Sequence, residues 1–258
     1  MKIIKQQIIN NLKCIIGDEP IFYIKHTRQK DWAEDLSNGR FFMNTVQYYR
    51  DLEEKTLKKG QGDKFELKEH LDVINIDIIN KTTNNTCLTI PSAKFSLEIN
   101  GDCDAYLFCM TGLTFDDFEI IEYNDTTARV KFKFTPEYIK HIKEDFGEYL
   151  VIITGLDFRK YITNNTCGSG IPCVFGKVLY RKKNDFERLN AFNTFSPTRF
   201  LYKDLDFIDQ REYRFAIPNK YIKNNFLNLE PINNISSICK IDDLLDYEIL
   251  IHYELSEI

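Results

Sequence analysis

The sequence predicts an α+β fold with mixed or antiparallel sheets, and three patterns carry that expectation. Many short segments alternate apolar and polar residues, the period of two that sends successive side chains to opposite faces of a strand. A few segments instead space their apolar residues for a helix, with capping residues ahead of them. Strands and helices follow no regular alternation and no tandem repeat is present, so a doubly wound parallel sheet is not expected. The 258 residues, 43% hydrophobic and 14% aromatic, are enough for one substantial core. Candidate boundaries at 81–86 and 162–170 read as loops rather than linkers, so a single compact domain over 1–258, with insertions, is expected.

Taken in order, Ile4, Ile8, Ile9, Leu12, Ile15 and Ile16 fit an amphipathic helix over 3–16, which ends before Gly17-Asp18-Glu19-Pro20 and makes 1–19 an N-terminal brace. Residues Ile21 to His26 read as a strand, and Thr27 to Asn38 as a short helix with Trp32, Ala33 and Leu36 turned inward. Gly39 stops that helix, since glycine takes the left-handed conformation at a helix end without a side-chain clash. Arg40 to Asn44 is a second strand, so His26 stands at a strand end, where a polar side chain can enter a cleft.

Val46 to Glu54 reads as a helix and 58–63, with two glycines, as a polar loop. Asp72 to Asn80 alternates as one strand; 81–86 is its turn, and 87–90 and 93–99 continue the β-rich stretch. Strands follow at 106–110 and 128–134. The clearest helix begins at Thr135-Pro136-Glu137, where threonine caps and proline fits the first turn. Tyr149 to Ile153 is apolar enough for a central strand, 173–181 is another, 185–192 is a short helix and 195–199 a turn around Pro197. A strand containing Glu212, one over 235–241 and a final amphipathic segment complete the chain.

Charge and composition narrow the classes of function, and a local basic cleft for nucleic acid stays open. With 39 acidic and 34 basic residues the formal charge is -5, and dispersed Lys and Arg make no broad basic footprint for nucleic acid. No run approaches the roughly 20 apolar residues of a membrane helix, and the polar start MKIIKQQIINNLK does not read as a secretion signal. The expectation is a cytoplasmic protein without a membrane partner. Seven cysteines, an odd number without metal-ligand spacing, fit reduced thiols. His70, His141 and His252 form no zinc signature, and no metal site is expected.

The late segment Gln210-Arg211-Glu212-Tyr213-Arg214-Phe215-Ala216-Ile217 carries the main candidates. In a strand, Tyr213, Phe215 and Ile217 face one way and Gln210, Glu212 and Arg214 the other, a polar face suited to a cleft. Glu212 would favour positive charge developing at an anomeric carbon, and the Gln210 amide would recognise an acceptor. Pairing of Glu212 with Arg214 or another strand's cation is the competing explanation. Around His26, Thr27 offers a hydrogen bond and Arg28 a cation for a diphosphate. Asn44, Tyr48, Tyr49 and Arg50 form a polar and aromatic cluster in which a tyrosine face would stack on a base and Arg50 meet phosphate; an ion pair of Arg50 with Glu53 or Glu54 competes. A divalent cation on Glu53, Asp63 and Glu66, with Lys64 or Lys68 balancing phosphate, is a metal-nuclease alternative.

Together, Phe22-Tyr23-Ile24-Lys25-His26-Thr27, the helix ending at Gly39 and Gln210-Arg211-Glu212 resemble the ADP-ribosyltransferase superfamily. The resemblance implies a mixed split-sheet fold binding NAD in an extended cleft. It would place His26 by the nicotinamide ribose and Tyr48 or Tyr49 along the nicotinamide. Glu212 becomes the transfer-promoting carboxylate, Gln210 looks toward a nucleic-acid or protein acceptor, and the serine-threonine-serine strand of one branch is missing. GRFFMNTVQYYRDLEE and DQREYRF also resemble an uncharacterised bacterial family found in mobile or defence-related contexts, which implies a toxin or phage-defence role. A noncatalytic nucleotide- or protein-binding regulatory module is the alternative.

Overall fold

The computed structural model describes residues 19–56, 61–124, 126–167, 169–218 and 221–252. The helix expected over 3–16 lies outside them, as does all of the 1–19 brace but Glu19. The fold is mixed α+β, with several antiparallel sheets and helices. Among the described residues no helix is long and apolar enough to cross a membrane.

In chain order, β1 (Phe22–Thr27) is followed by α1 (Lys30–Ser37), β2 (Arg40–Phe42), β3 (Asn44–Thr45) and α2 (Val46–Thr56). Then come β4 (Glu69–Val73), β5 (Ile76–Ile79), β6 (Thr86–Ile90), β7 (Ala93–Leu97) and β8 (Tyr106–Leu113). Next are β9 (Phe118–Tyr123), β10 (Thr127–Phe132), α3 (Pro136–Phe146), β11 (Tyr149–Thr154) and α4 (Gly155–Cys167). The last part holds β12 (Val174–Lys177), β13 (Leu179–Arg181), α5 (Phe186–Asn193), β14 (Tyr202–Asp204) and β15 (Glu212–Ile217), then β16 (Phe226–Asn228), β17 (Ser236–Lys240) and β18 (Glu248–His252). Among the described residues two compact units result, one drawn from 19–43, 109–171 and 222–252, the other from 44–108 and 172–221.

In the first unit β1 pairs antiparallel with β11, Phe22 opposite Thr154 and Thr27 opposite Tyr149, and β11 pairs on its other side with β17. Leu150 and Val151, on opposite faces of β11, are both fully buried, so both faces are covered, which explains its near-continuous apolar run. The sheet β9-β10-β18 contributes Phe118, Ile120, Val130 and Phe132 to a core shared with Ile24, Leu150 and Ile139 of α3. Thr135 caps α3 as expected, its side chain accepting from the Tyr138 N–H. Tyr23 packs edge-on against Phe158 of α4 at 5.6 Å. Gly155 opens α4 where a Cβ would lie 2.0 Å from the Pro20 carbonyl oxygen, so only glycine fits. Gly39 has φ +81 at the end of α1, the left-handed stop that was expected. Trp32 differs from expectation: it is half exposed while Ala33 and Leu36 are buried.

In the second unit β12 pairs antiparallel with β15, Val174 opposite Ala216 and Lys177 opposite Tyr213. Strands β13 and β14 are parallel, and β3 pairs with the start of β8, Asn44 opposite Leu107. The expected strand 72–80 is broken at Ile74-Asn75, and 173–181 is broken at Val178, whose N–H turns to the Glu212 carbonyl oxygen. A buried two-point ion pair ties this unit across distant sequence: Arg199 donates through Nε and Nη2 to Asp102 at 2.7 and 2.8 Å.

Candidate functional site

The six residues of β15 are all buried. Tyr213, Phe215 and Ile217 share one face and Glu212 and Arg214 the other, as the alternation requires. The strand starts at Glu212, however: Gln210 ends a 3-10 turn, and Arg211 sits in the left-handed region at φ 45, ψ 44. Period two therefore does not reach Gln210, and the expected polar face is a covered one rather than an open cleft wall.

A lysine rejoins the two residues. Lys203 of β14 donates through Nζ to Gln210 Oε1 and to Glu212 Oε2, each at 2.9 Å. The other Glu212 oxygen, Oε1, accepts from Arg214 Nε at 2.8 Å. Arg214 continues the chain of charge, giving Nη1 to Glu66 Oε1 and to the Phe200 carbonyl, both at 2.8 Å, and Nη2 to Glu66 Oε2 at 3.2 Å. Glu212 is 5% exposed and Arg214 1%, so these bonds operate where water does not compete. The Glu212 N–H donates to the Tyr180 hydroxyl at 2.9 Å. Burial, then the Glu212 charge, pushes the Tyr180 phenol up to about 12.

Further carboxylates surround this network. Asp63 is buried, and its carboxyl is pushed up to about 6, first by burial and next by the charge of Glu66; Lys203 and the Phe65 N–H pull the other way. That N–H reaches Asp63 Oδ1 at 2.9 Å, and Glu53 Oε2 accepts from the Lys64 N–H at 3.0 Å. Glu53, Asp63, Glu66 and Glu212 thus interleave with the cations Lys203 and Arg214 and with Arg50, which donates to the Glu66 carbonyl. The metal alternative finds no geometry here: among the described residues no group of three His, Cys, Asp or Glu side chains could hold a metal ion. Glu66 spends both oxygens on Arg214, Lys64 lies over the Phe65 ring, and Lys68 pairs with Glu98.

Arg50 adjoins the same loop. Its Nε donates to the Glu66 carbonyl at 2.7 Å, Nη2 to the Leu67 carbonyl at 3.2 Å, and Nη1 pairs with Glu98 rather than with Glu53 or Glu54. Tyr48 is exposed and meets Tyr49 edge-on at 5.6 Å, both in α2, while Asn44 is a β3 ladder residue. His26, Thr27 and Arg28 belong to the first unit. Burial, then the Lys25 charge, lowers His26 to about 3, and its ring packs 6.0 Å from that of Phe146. The Thr27 hydroxyl donates to the Gln29 carbonyl at 3.0 Å, and Arg28 Nη2 to the Asp145 carbonyl at 3.3 Å.

Sequence reasoning missed Lys203, which no periodicity distinguishes in Leu201-Tyr202-Lys203-Asp204, and it missed Arg188, buried against Glu69. Chemically, the arrangement is a buried carboxylate held in one orientation by two cations. No family model matches the chain, and no curated protein or solved structure matches it.

Proposed function

We propose that the protein transfers ADP-ribose from NAD to a nucleic-acid or protein acceptor, with Glu212 as the transfer-promoting carboxylate. The rigid placement of Glu212 carries this reading: Lys203 and Arg214 fix its carboxylate on β15, so no reorganisation is needed for it to favour a positively charged ribosyl state. In the reaction the bond from the anomeric carbon to the nicotinamide nitrogen breaks, its electron pair leaving with nicotinamide. An acceptor nucleophile then bonds to that carbon and gives up a proton. Gln210, held beside Glu212 by Lys203, orients the nucleophile. Tyr48 or Tyr49 would lie along the nicotinamide.

A second reading, a nucleotide- or protein-binding module without turnover, is favoured by another aspect of the same contacts: both Glu212 oxygens already accept from buried cations. Incubating labelled NAD with the protein and bacterial lysate separates the two. Transfer predicts a labelled macromolecule, lost with Glu212→Gln in protein of unchanged circular dichroism, and sensitivity of the label to protease or nuclease identifies the acceptor class. NAD binding without any label or nicotinamide release would establish the binding module instead.

A further inference from the structure

Between β13 and α5 the chain turns through Lys182-Lys183-Asn184-Asp185, and it reaches β4 through a loop that carries Lys64 and Phe65. Side chains pin the turn in place. Asn184 Oδ1 accepts from the Asp72 N–H of β4 at 3.1 Å, and Asp185 caps α5 by accepting from the Arg188 N–H at 3.2 Å. The Phe65 ring then gathers cations from both segments. Lys64 Nζ stands 5.1 Å and Lys183 Nζ 4.7 Å from its centroid, and the His70 ring meets it edge-on at 4.6 Å. The two ammonium groups are therefore at most about 10 Å apart, near the Debye length at moderate salt, and they repel. Both lysines are exposed, and neither pairs with a carboxylate among the described residues.

Arg188 brings a further cation, and this one is buried at 5% exposure. Its Nε pairs with Glu69 and its Nη2 donates to the Lys68 carbonyl at 3.2 Å, while Nη1 is buried with no hydrogen-bond partner. Glu69 joins Arg188 to His70, since its Oε1 accepts from the His70 N–H at 3.2 Å and its Oε2 meets the guanidinium. His70 Nε2 is also buried without a partner. Burial, then the charges of Lys183, Arg188 and Lys68, lowers the His70 pKa, and Asp72 acts the other way. Buried polar atoms without partners are rare in folded proteins, and two of them among converging cations call for an anion.

We propose that Lys64, His70, Lys183 and Arg188 form a binding site for a phosphate group. The nearby carboxylates leave the balance positive: Glu69 is spent on Arg188, Glu98 on Lys68 and Arg50, and Asp72 alone acts on His70 beyond these. A tetrahedral, multiply charged oxyanion offers acceptors in several directions, which suits donors that arrive from a loop, a strand, a turn and a helix. None of these four side chains bonds to Glu212, Gln210, Lys203 or Arg214, so the site stands whether or not the chain turns over NAD.

Isothermal titration of the full chain with inorganic phosphate and, separately, with glycerol 3-phosphate, at constant ionic strength, reads the site directly. Wild type should bind one phosphate group per chain, tighter binding of the ester assigning an esterified ligand and tighter binding of the free anion an inorganic one. Lys64→Ala with Lys183→Ala, both exposed, should weaken binding about tenfold or more with unchanged circular dichroism. Lys140→Ala with Lys160→Ala removes the same charge from exposed positions of α3 and α4 and should bind as wild type. In nitrogen NMR of labelled histidine side chains, the His70 Nε2 resonance, assigned by its loss in His70→Gln, should move as phosphate is added. No saturable binding by folded wild type, equal affinity in the Lys64 and Lys183 double variant, an equal loss in the Lys140 and Lys160 control, or an unmoved His70 resonance at saturation would each overturn the proposal.

Discussion

Replacing Arg214 with Met tests how much of the second unit hangs on the network around Glu212. The guanidinium donates to two carboxylates and a carbonyl, and its removal leaves Glu66 without its two-point partner and Glu212 with Lys203 as its remaining cation in this set. Taking one partner from a buried ion pair destabilises by about 3–5 kcal/mol, and the three acceptors of Arg214 put it at the upper end. That is a large share of the roughly 5–15 kcal/mol by which domains are stable, and in a chain of this size lowers Tm by about 10–20 °C. Urea unfolding followed by circular dichroism should show the midpoint falling with its slope unchanged. Adding Glu66→Met to Arg214→Met should restore part of the loss, since the second substitution removes a stranded charge. A loss below about 1 kcal/mol for Arg214→Met, or a double variant weaker than the sum of the singles, would refute the reasoning.

Two further outcomes concern pH. Asp63 has a folded value of about 6 against 3.8, so the folded state binds more protons than the unfolded between those values; its contribution to stability is full below 3.8 and is lost as pH rises through about 6. Asp63→Asn, which keeps the acceptor for the Phe65 N–H, should therefore gain about 3 kcal/mol over wild type above that range and flatten the slope within it, as read by urea midpoints across pH. His26 has the opposite sign: lowered from 6.5 to about 3, it is neutral when folded, so its contribution is present above 6.5 and lost as pH falls. His26→Gln should make the protein less acid-sensitive below 6.5, and thermal melts as sharply dependent on acid as those of wild type would contradict this.

Much of the fold was legible because its signals are local. Thr135-Pro136 announced α3, Gly39 announced the end of α1, and the alternation from Glu212 to Ile217 announced β15. Helix α4 went unread: Thr163, Asn164, Asn165 and Thr166 are poor helix formers, and its stability comes from burying Phe158 and Ile162. At the candidate site, periodicity correctly put Glu212 and Arg214 on one face but cannot say what covers that face. Glu66 lies 148 residues from Arg214 and Asp102 lies 97 from Arg199, separations at which a single sequence holds no pairing signal. The short alternation also ran one turn too far, because the left-handed Arg211 that ends it at Glu212 is not a glycine.

Nicotinamide release from NAD by the purified protein, with no lysate present, tests the central assignment most directly. Wild type should release nicotinamide, Gln210→Ala should still release it, and Glu212→Gln with wild-type circular dichroism should release none. Equal release by wild type and Glu212→Gln, or none from a wild type that binds NAD, would contradict the role given to Glu212.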